Sequence, residues 1–172
     1  MKKLLVMLLM AVAFCGSAEA QKGMQGVGAN FAGNAVEGIA LGGGVKYQYN
    51  ISNYLRIEPS FSYYAVREHE EEADAFEGAI LLNMHLFFSS PRVVRPYAFL
   101  GVGYVGFKDY YYSRYDDYGY ELKERFGVDG GLGLDWRMTH NLSLQVEGGV
   151  LLGINDDDAI GPKINIGICY NF

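Results

Sequence analysis

From residue 23 onward the chain alternates between apolar and polar positions. In 160–172 the apolar set is Ile160, Pro162, Ile164, Ile166, Ile168, Tyr170 and Phe172, and the intervening set is Gly161, Lys163, Asn165, Gly167, Cys169 and Asn171. Strand side chains point to opposite faces in turn, so a period of two predicts a two-faced strand and not a helix. Seven earlier stretches carry the same period: 23–31, 38–50, 54–66, 77–88, 96–107, 125–138 and 142–154. In 125–138, for example, Phe126, Val128, Leu132, Leu134, Trp136 and Met138 alternate with Gly127, Asp129, Gly131, Gly133, Asp135 and Arg137. Pro59 interrupts 54–66 and predicts a bulge there, because proline removes a ladder hydrogen bond. In 77–88 the second face, Leu81, Asn83, His85 and Phe87, is less polar than elsewhere.

The connections alternate between short and long. Short or moderate turns follow the second, fourth and sixth stretches, and the long, charged or tyrosine-rich connections fall among the others. This is how barrels that span an outer membrane distribute their turns and outside loops. The expected fold is therefore all-β, an eight-stranded antiparallel up-and-down transmembrane β-barrel, closed because lipid tolerates no open sheet edge. A soluble periplasmic barrel would share the alternation but bury the apolar set. Three features favour lipid on the apolar face. The polar face is rich in glycine, which suits a narrow lumen. Aromatics gather at one end of the apolar face, at Tyr47, Tyr49, Phe88, Trp136, Tyr170 and Phe172, as in an interfacial girdle. Each stretch also supplies about ten alternating residues, enough for a tilted strand to cross a bilayer.

The N-terminus changes the compartment. Met1, Lys2 and Lys3 form a basic start, residues 4–14 an apolar run too short to span a bilayer, and Ala18-Glu19-Ala20 a small-x-small cleavage site. We expect residues 1–20 to be a signal peptide and 21–172 an outer-membrane β-barrel domain. Cys15 offers a lipoprotein alternative, weakened by the bulky Phe14 before it. The net charge is −6, and losing the leader removes two lysines, so the exported chain is more acidic still and no nucleic-acid partner is expected. Cys169 would be its one cysteine, which leaves no internal disulfide.

The segment Arg95-Pro96-Tyr97-Ala98-Phe99-Leu100-Gly101-Val102-Gly103-Tyr104 resembles a strand of small outer-membrane barrels of the OmpA/OmpX type. The segment 133–147, Gly-Leu-Asp-Trp-Arg-Met-Thr-His-Asn-Leu-Ser-Leu-Gln-Val-Glu, resembles their strand–turn–strand hairpin. The terminal Tyr170-Asn171-Phe172 resembles the signal by which barrel assembly machinery recognises a last strand, so Tyr170 and Phe172 are the expected assembly residues. The resemblance implies a fold and a location, the outer membrane of a Gram-negative bacterium with both termini periplasmic. It does not imply an activity, because members of such a family serve different ends.

Candidate chemistry is sparse. Gly101-Val102-Gly103-Tyr104-Val105-Gly106 fits G-x-G-x-x-G, but no amphipathic helix follows, so small residues inside a barrel are the better reading. A lipid hydrolase would need a serine beside His69, His85 or His140 near the outer rim, and the sequence suggests no such pair. No zinc-type spacing of His and Cys is present, so no metal and no cofactor are expected. The acidic runs at 68–74 and 156–158 lack calcium-loop spacing and read as solvated charge, with divalent-cation bridging to lipid as the alternative. Tyr110, Tyr111, Tyr112, Tyr115, Tyr118 and Tyr120 make one loop a candidate binding surface for a host or surface ligand. An equal alternative is a β-extension above the membrane, stacked on itself.

Carrying the glycine face inward places Lys46, Arg56, Arg137 and Lys163 opposite Glu58, Asp129, Asp135 and Glu147 inside the barrel. Buried charges must pair, so an interior network is expected, with Arg56 and Arg137 as hubs and Arg137 meeting Asp135 and Glu147 across one hairpin. The functional expectation is a non-enzymatic, monomeric outer-membrane protein with lipid as its surroundings and its loops as its contact surface. The alternatives are a narrow small-solute pore and a lipid-modifying enzyme.

Overall fold

The computed structural model describes residues 22–35, 39–67, 78–89, 92–112, 118–154 and 159–172. The expected leader and both acidic runs lie outside these residues. The strands are β1 (Gln25–Asn34), β2 (Ala40–Asn50), β3 (Leu55–Arg67), β4 (Gly78–Phe87), β5 (Val94–Tyr112), β6 (Tyr118–Arg137), β7 (Leu142–Ile154) and β8 (Ala159–Asn171). Each pairs antiparallel with its neighbours in chain order, and β1 pairs with β8 to close the barrel. The seam is sealed at its end by Phe172 N–H donating to Gln25 O at 2.8 Å and Gln25 N–H donating to Phe172 O at 3.1 Å.

The short turns share one end of the barrel with both chain ends. Between β2 and β3, Ser52 Oγ accepts from the backbone N–H of Tyr54 at 3.2 Å and of Leu55 at 3.1 Å. Between β6 and β7, Thr139 Oγ1 accepts from Leu142 N–H at 3.0 Å. Hydroxyl residues mimic a backbone turn in this way, which is why Ser and Thr stand there.

The facing follows the glycine argument. Leu132 is 63% exposed whereas Asp129, three residues away on the same strand, is 1% exposed. Val27, Val45, Ile80, Leu82, Leu100, Leu134, Ile164 and Ile168 all point outward, a belt of side chains that only lipid would leave uncovered. The turn-end girdle of Tyr47, Tyr49, Phe88, Trp136, Tyr170 and Phe172 is outward too. A second aromatic set, Phe31, Tyr63, Tyr104 and Phe126, sits outward towards the loop end. Two girdles separated by an aliphatic belt are the profile of a membrane-spanning barrel.

Three expectations need correction. Pro59 is not at a bulge: Ser60 pairs with Lys46 and Ile57 with Tyr49 on one register, and Pro59 itself faces Leu82 on β4. The irregularity lies near the other end of β3, between Leu41 and Gly42 of the partner strand. Second, β5 begins at Val94 rather than at Pro96, which brings Arg95 into the sheet. Third, β5 and β6 run far past the expected ends, pairing continuously out to Tyr112 opposite Tyr118. Tyr110 faces Tyr120 and Tyr111 faces Gly119 on this ladder, whereas Tyr115 lies outside the described residues. The β-extension reading therefore holds for the backbone.

Candidate functional site

The lumen is filled by side chains in successive layers. At the loop end Ala32, Ala40, Tyr64, Ala79, Leu81, Val105 and Leu151 pack into an apolar layer. Below it Lys163 on β8 bonds to Asp129 on β6. The ammonium lies 5.8 Å from the centroid of the Phe99 ring, within cation–π range.

The middle layer gathers Lys46 and Gln48 from β2, Glu58 from β3, His85 from β4, Tyr97 from β5, Gln145 and Glu147 from β7, and Asn165 from β8. Lys46 Nζ donates to Gln145 Oε1 and lies 3.4 Å from Glu58 Oε1. Gln48 Nε2 donates to Glu58 Oε2 at 2.6 Å and to Gln145 Oε1 at 2.8 Å. Glu147 accepts from Tyr97 OH at 2.7 Å and from Asn165 Nδ2 at 2.8 Å. The His85 ring stacks on Tyr97, with centroids 4.7 Å apart and planes 10° from parallel. Its Nε2 stands 3.9 Å from Glu58 Oε1 and 3.9 Å from Glu147 Oε1. Glu58, His85 and Glu147 thus bring three ligand atoms within 4.8 Å of one another, a grouping of three separate strands that spacing along the chain could not reveal.

At the turn end, Asp135 Oδ2 accepts from Arg56 at 2.8 Å and from Arg95 at 2.7 Å. Arg56 Nε also donates to Asn50 Oδ1 at 3.0 Å. The Phe87 ring lies under both guanidiniums, 3.9 Å from Arg95 Cζ and 4.8 Å from Arg56 Cζ. Stacking against a weakly hydrated guanidinium is a contact Lys could not make equally well.

Of the candidate interior charges, Lys46, Arg56, Glu58, Asp129, Asp135, Glu147 and Lys163 are buried in the lumen. Arg137 is half-exposed at the last residue of β6. Asp135 is gripped by Arg56, the expected hub, and by Arg95. Glu147 pairs in register with Gly133, two residues further from the turn than the Asp135–Gln145 pair, and its carboxylate is taken up by Tyr97 and Asn165. Arg95, Tyr97, Gln48, Gln145 and Asn165 were not singled out in the sequence. The signal for Arg95 and Tyr97 was available, because both share the parity of Gly101 and Gly103. A strand start at Pro96 leaves Arg95 outside the expected strand.

Glycine explains why large rings fit inside so narrow a barrel. A Cβ at Gly133 would collide with the Tyr97 ring, and one at Gly167 would lie 3.0 Å from Lys46 Cε. Bulk on one strand is matched by absence of bulk on the next strand or the one beyond it, which is how a lumen of this size is packed.

His85 has Tyr97, Phe99 and the two carboxylates as its neighbours. His140 lies exposed in the β6–β7 turn, and His69 lies outside the described residues.

Solved structures of similar shape include outer-membrane proteins and a β-barrel domain. The N-terminal β-barrel domain of Pseudomonas aeruginosa OprF aligns over 90% of this chain and 100% of its own, with TM-score 0.66 and 17% identity. Neisserial surface protein A aligns over 87% of this chain and 96% of its own, with TM-score 0.61 and 15% identity. The attachment invasion locus protein Ail of Yersinia pestis aligns over 88% and 99%, with TM-score 0.55 and 20% identity. No curated protein matches the chain in sequence. The model of the outer membrane protein beta-barrel domain family matches residues 4–172, and together with the closed barrel and its two faces this establishes that the chain belongs to that family.

Proposed function

We propose that this is a non-enzymatic barrel of the outer membrane, monomeric, with both termini periplasmic, whose contribution lies in the envelope and in contacts made by its outward loops. The observation that carries the reading is the contrast between a lumen occupied along its length by paired side chains and a β5–β6 hairpin that continues well past the other strands. A plugged lumen leaves the surface as the place for interaction. Aromatic-rich surfaces bind with large contact area and little loss of side-chain entropy.

Ail of Yersinia pestis has been crystallised with the heparin analogue sucrose octasulfate, and its structure overlays on this chain with TM-score 0.54 at 19% identity. The same ligand class suits this chain poorly. Its loops carry Glu68, Glu70, Glu71, Glu72, Asp74, Asp156, Asp157 and Asp158, which would repel a polyanion. Neutral glycans or protein surfaces offering faces for tyrosine to stack on are the better fit.

The test is a binding screen of the purified barrel against neutral glycans, sulfated glycans and matrix proteins. It compares the native chain with one in which 110–120 is replaced by a two-residue Asn-Gly turn. Binding to a neutral glycan or protein that the replacement abolishes supports the reading. Equal binding by both chains, or preference for sulfated glycans, overturns it. Orientation is tested separately, by protease access to a tag at each terminus in intact cells.

A further inference from the structure

We propose that Glu58, His85 and Glu147 form a binding site inside the barrel for one divalent first-row transition ion, with zinc as its probe. The three side chains come from β3, β4 and β7 and converge from different parts of the wall, each almost or wholly without solvent exposure. Their ligand atoms lie within 4.8 Å of one another, with His85 Nε2 3.9 Å from an oxygen of each carboxylate. A point equidistant from three atoms so placed lies about 2.1–2.5 Å from each, against about 2.0–2.2 Å for zinc bound by imidazole and carboxylate. A shift of a few tenths of an ångström closes the difference.

A second observation points to a ligand at this place. Both ring nitrogens of His85 are buried without a hydrogen-bond partner, and Glu58 Oε1 has only its ion pair with Lys46 Nζ at 3.4 Å. Buried polar atoms of this kind are uncommon in native interiors, and one bound ion would meet both His85 Nε2 and Glu58 Oε1, with Glu147 Oε1, which also accepts from Tyr97 OH, as the third ligand. The surroundings hold the carboxylates as the outer groups of a metal site do. Gln48 donates to the other oxygen of Glu58, and Tyr97 and Asn165 donate to Glu147. Stacking on Tyr97 fixes the plane of the imidazole.

Within this layer two carboxylates face one ammonium, that of Lys46, which also bonds to Gln145; Arg56 and Lys163 in the layers on either side balance the lumen as a whole, so the ion competes with Lys46 for Glu58. An incoming ion takes the Glu58 oxygen, and Lys46 keeps Gln145. One nitrogen among few oxygens favours zinc and its neighbours over calcium, which wants six to eight oxygens. The rival occupant is a proton, making His85 an imidazolium between two carboxylates.

Because the donors are buried, the ion is loaded during folding. The experiment refolds the full barrel from urea into detergent with zinc, calcium or no added divalent ion. It then strips loose metal with a chelator and measures retained metal per chain. The proposal expects about one chelator-resistant zinc per barrel, no retained calcium, and less than about one fifth of that zinc in Glu147→Gln and His85→Gln. Cobalt loaded the same way should show visible d–d bands that His85→Gln removes. Lys46→Met removes the ammonium that competes for Glu58 Oε1 while leaving all three ligand residues in place, and should refold poorly alone but be rescued by zinc. Heat-modifiable gel mobility identifies the folded fraction in every case, and metal is counted on that fraction. Native barrel retaining less than about one tenth of a zinc, or the same zinc content in native and His85→Gln chains, overturns the proposal and leaves the proton as occupant.

Discussion

Asp135 holds two guanidiniums on one oxygen, and this asymmetry sets what each substitution does. Losing either arginine leaves the carboxylate with a partner. Losing the carboxylate leaves two buried cations stacked on Phe87 without their shared anion, Arg56 keeping only its bond to Asn50 Oδ1. Asp135→Ala should therefore destabilise by about 3–5 kcal/mol, and Arg56→Met or Arg95→Met by clearly less. Replacing all three residues by apolar ones should recover part of the loss. Urea unfolding followed by the fluorescence of Trp136, the one tryptophan, checks the order. Equal losses for Asp135→Ala and Arg56→Met would show that the shared oxygen does not couple them. Glycine offers a second contrast. Gly133→Ala drives a methyl into the Tyr97 ring and should cost about 1–3 kcal/mol, whereas the Cβ of Gly148→Ala meets nothing within 4 Å and should be neutral or mildly stabilising. Both are measured by the same unfolding curves.

Strands make the seam and the outward hairpin. Phe172 exchanges two backbone hydrogen bonds with Gln25 and keeps its ring on the lipid side. Deleting it removes both bonds at the closure point and the last residue of the proposed assembly signal. The expected outcome is unfolded protein in the periplasm, and normal yields of heat-modifiable barrel in the outer membrane would count against that role. The hairpin should behave oppositely. The Asn-Gly replacement of 110–120 lies beyond the lipid-facing belt, so the variant should fold at native yield. What was legible in the sequence follows the same division. The period of two located all eight strands because a wall with lipid on one side and a packed lumen on the other leaves little choice at each position. Pro59 misled, because a proline can stand in a ladder whose register does not change. The ends of β5 and β6 were illegible because above the membrane neither face must be apolar, so the alternation fades while backbone pairing continues. The middle layer was illegible for another reason. Glu58, His85 and Glu147 belong to three strands, and only barrel closure decides which side chains meet across the lumen.

At the scale of the whole molecule the question is whether anything passes through. Eight strands enclose an interior about wide enough for side chains to fill. Here four groups of buried side chains follow one another along it: an apolar layer at the loop end, the Lys163–Asp129 pair, the middle layer around Glu58, and the Arg56–Asp135–Arg95 group at the turn end. Among the described residues four buried cations, Lys46, Arg56, Arg95 and Lys163, face four buried anions, Glu58, Asp129, Asp135 and Glu147. A hydrated ion entering from either end would have to separate at least one of these pairs without a compensating partner, and buried pairs resist that. Planar-bilayer recordings should accordingly show rare, small events or none. Lys163→Ala with Asp129→Ala removes one layer and should still not give a steady current, because three remain. Removing the turn-end group as well, with Arg56, Arg95 and Asp135 all replaced by alanine, should raise the frequency of small events if the barrel still forms. Steady conductance on the scale of a general porin from the native chain would mean that these layers are not closed in the membrane.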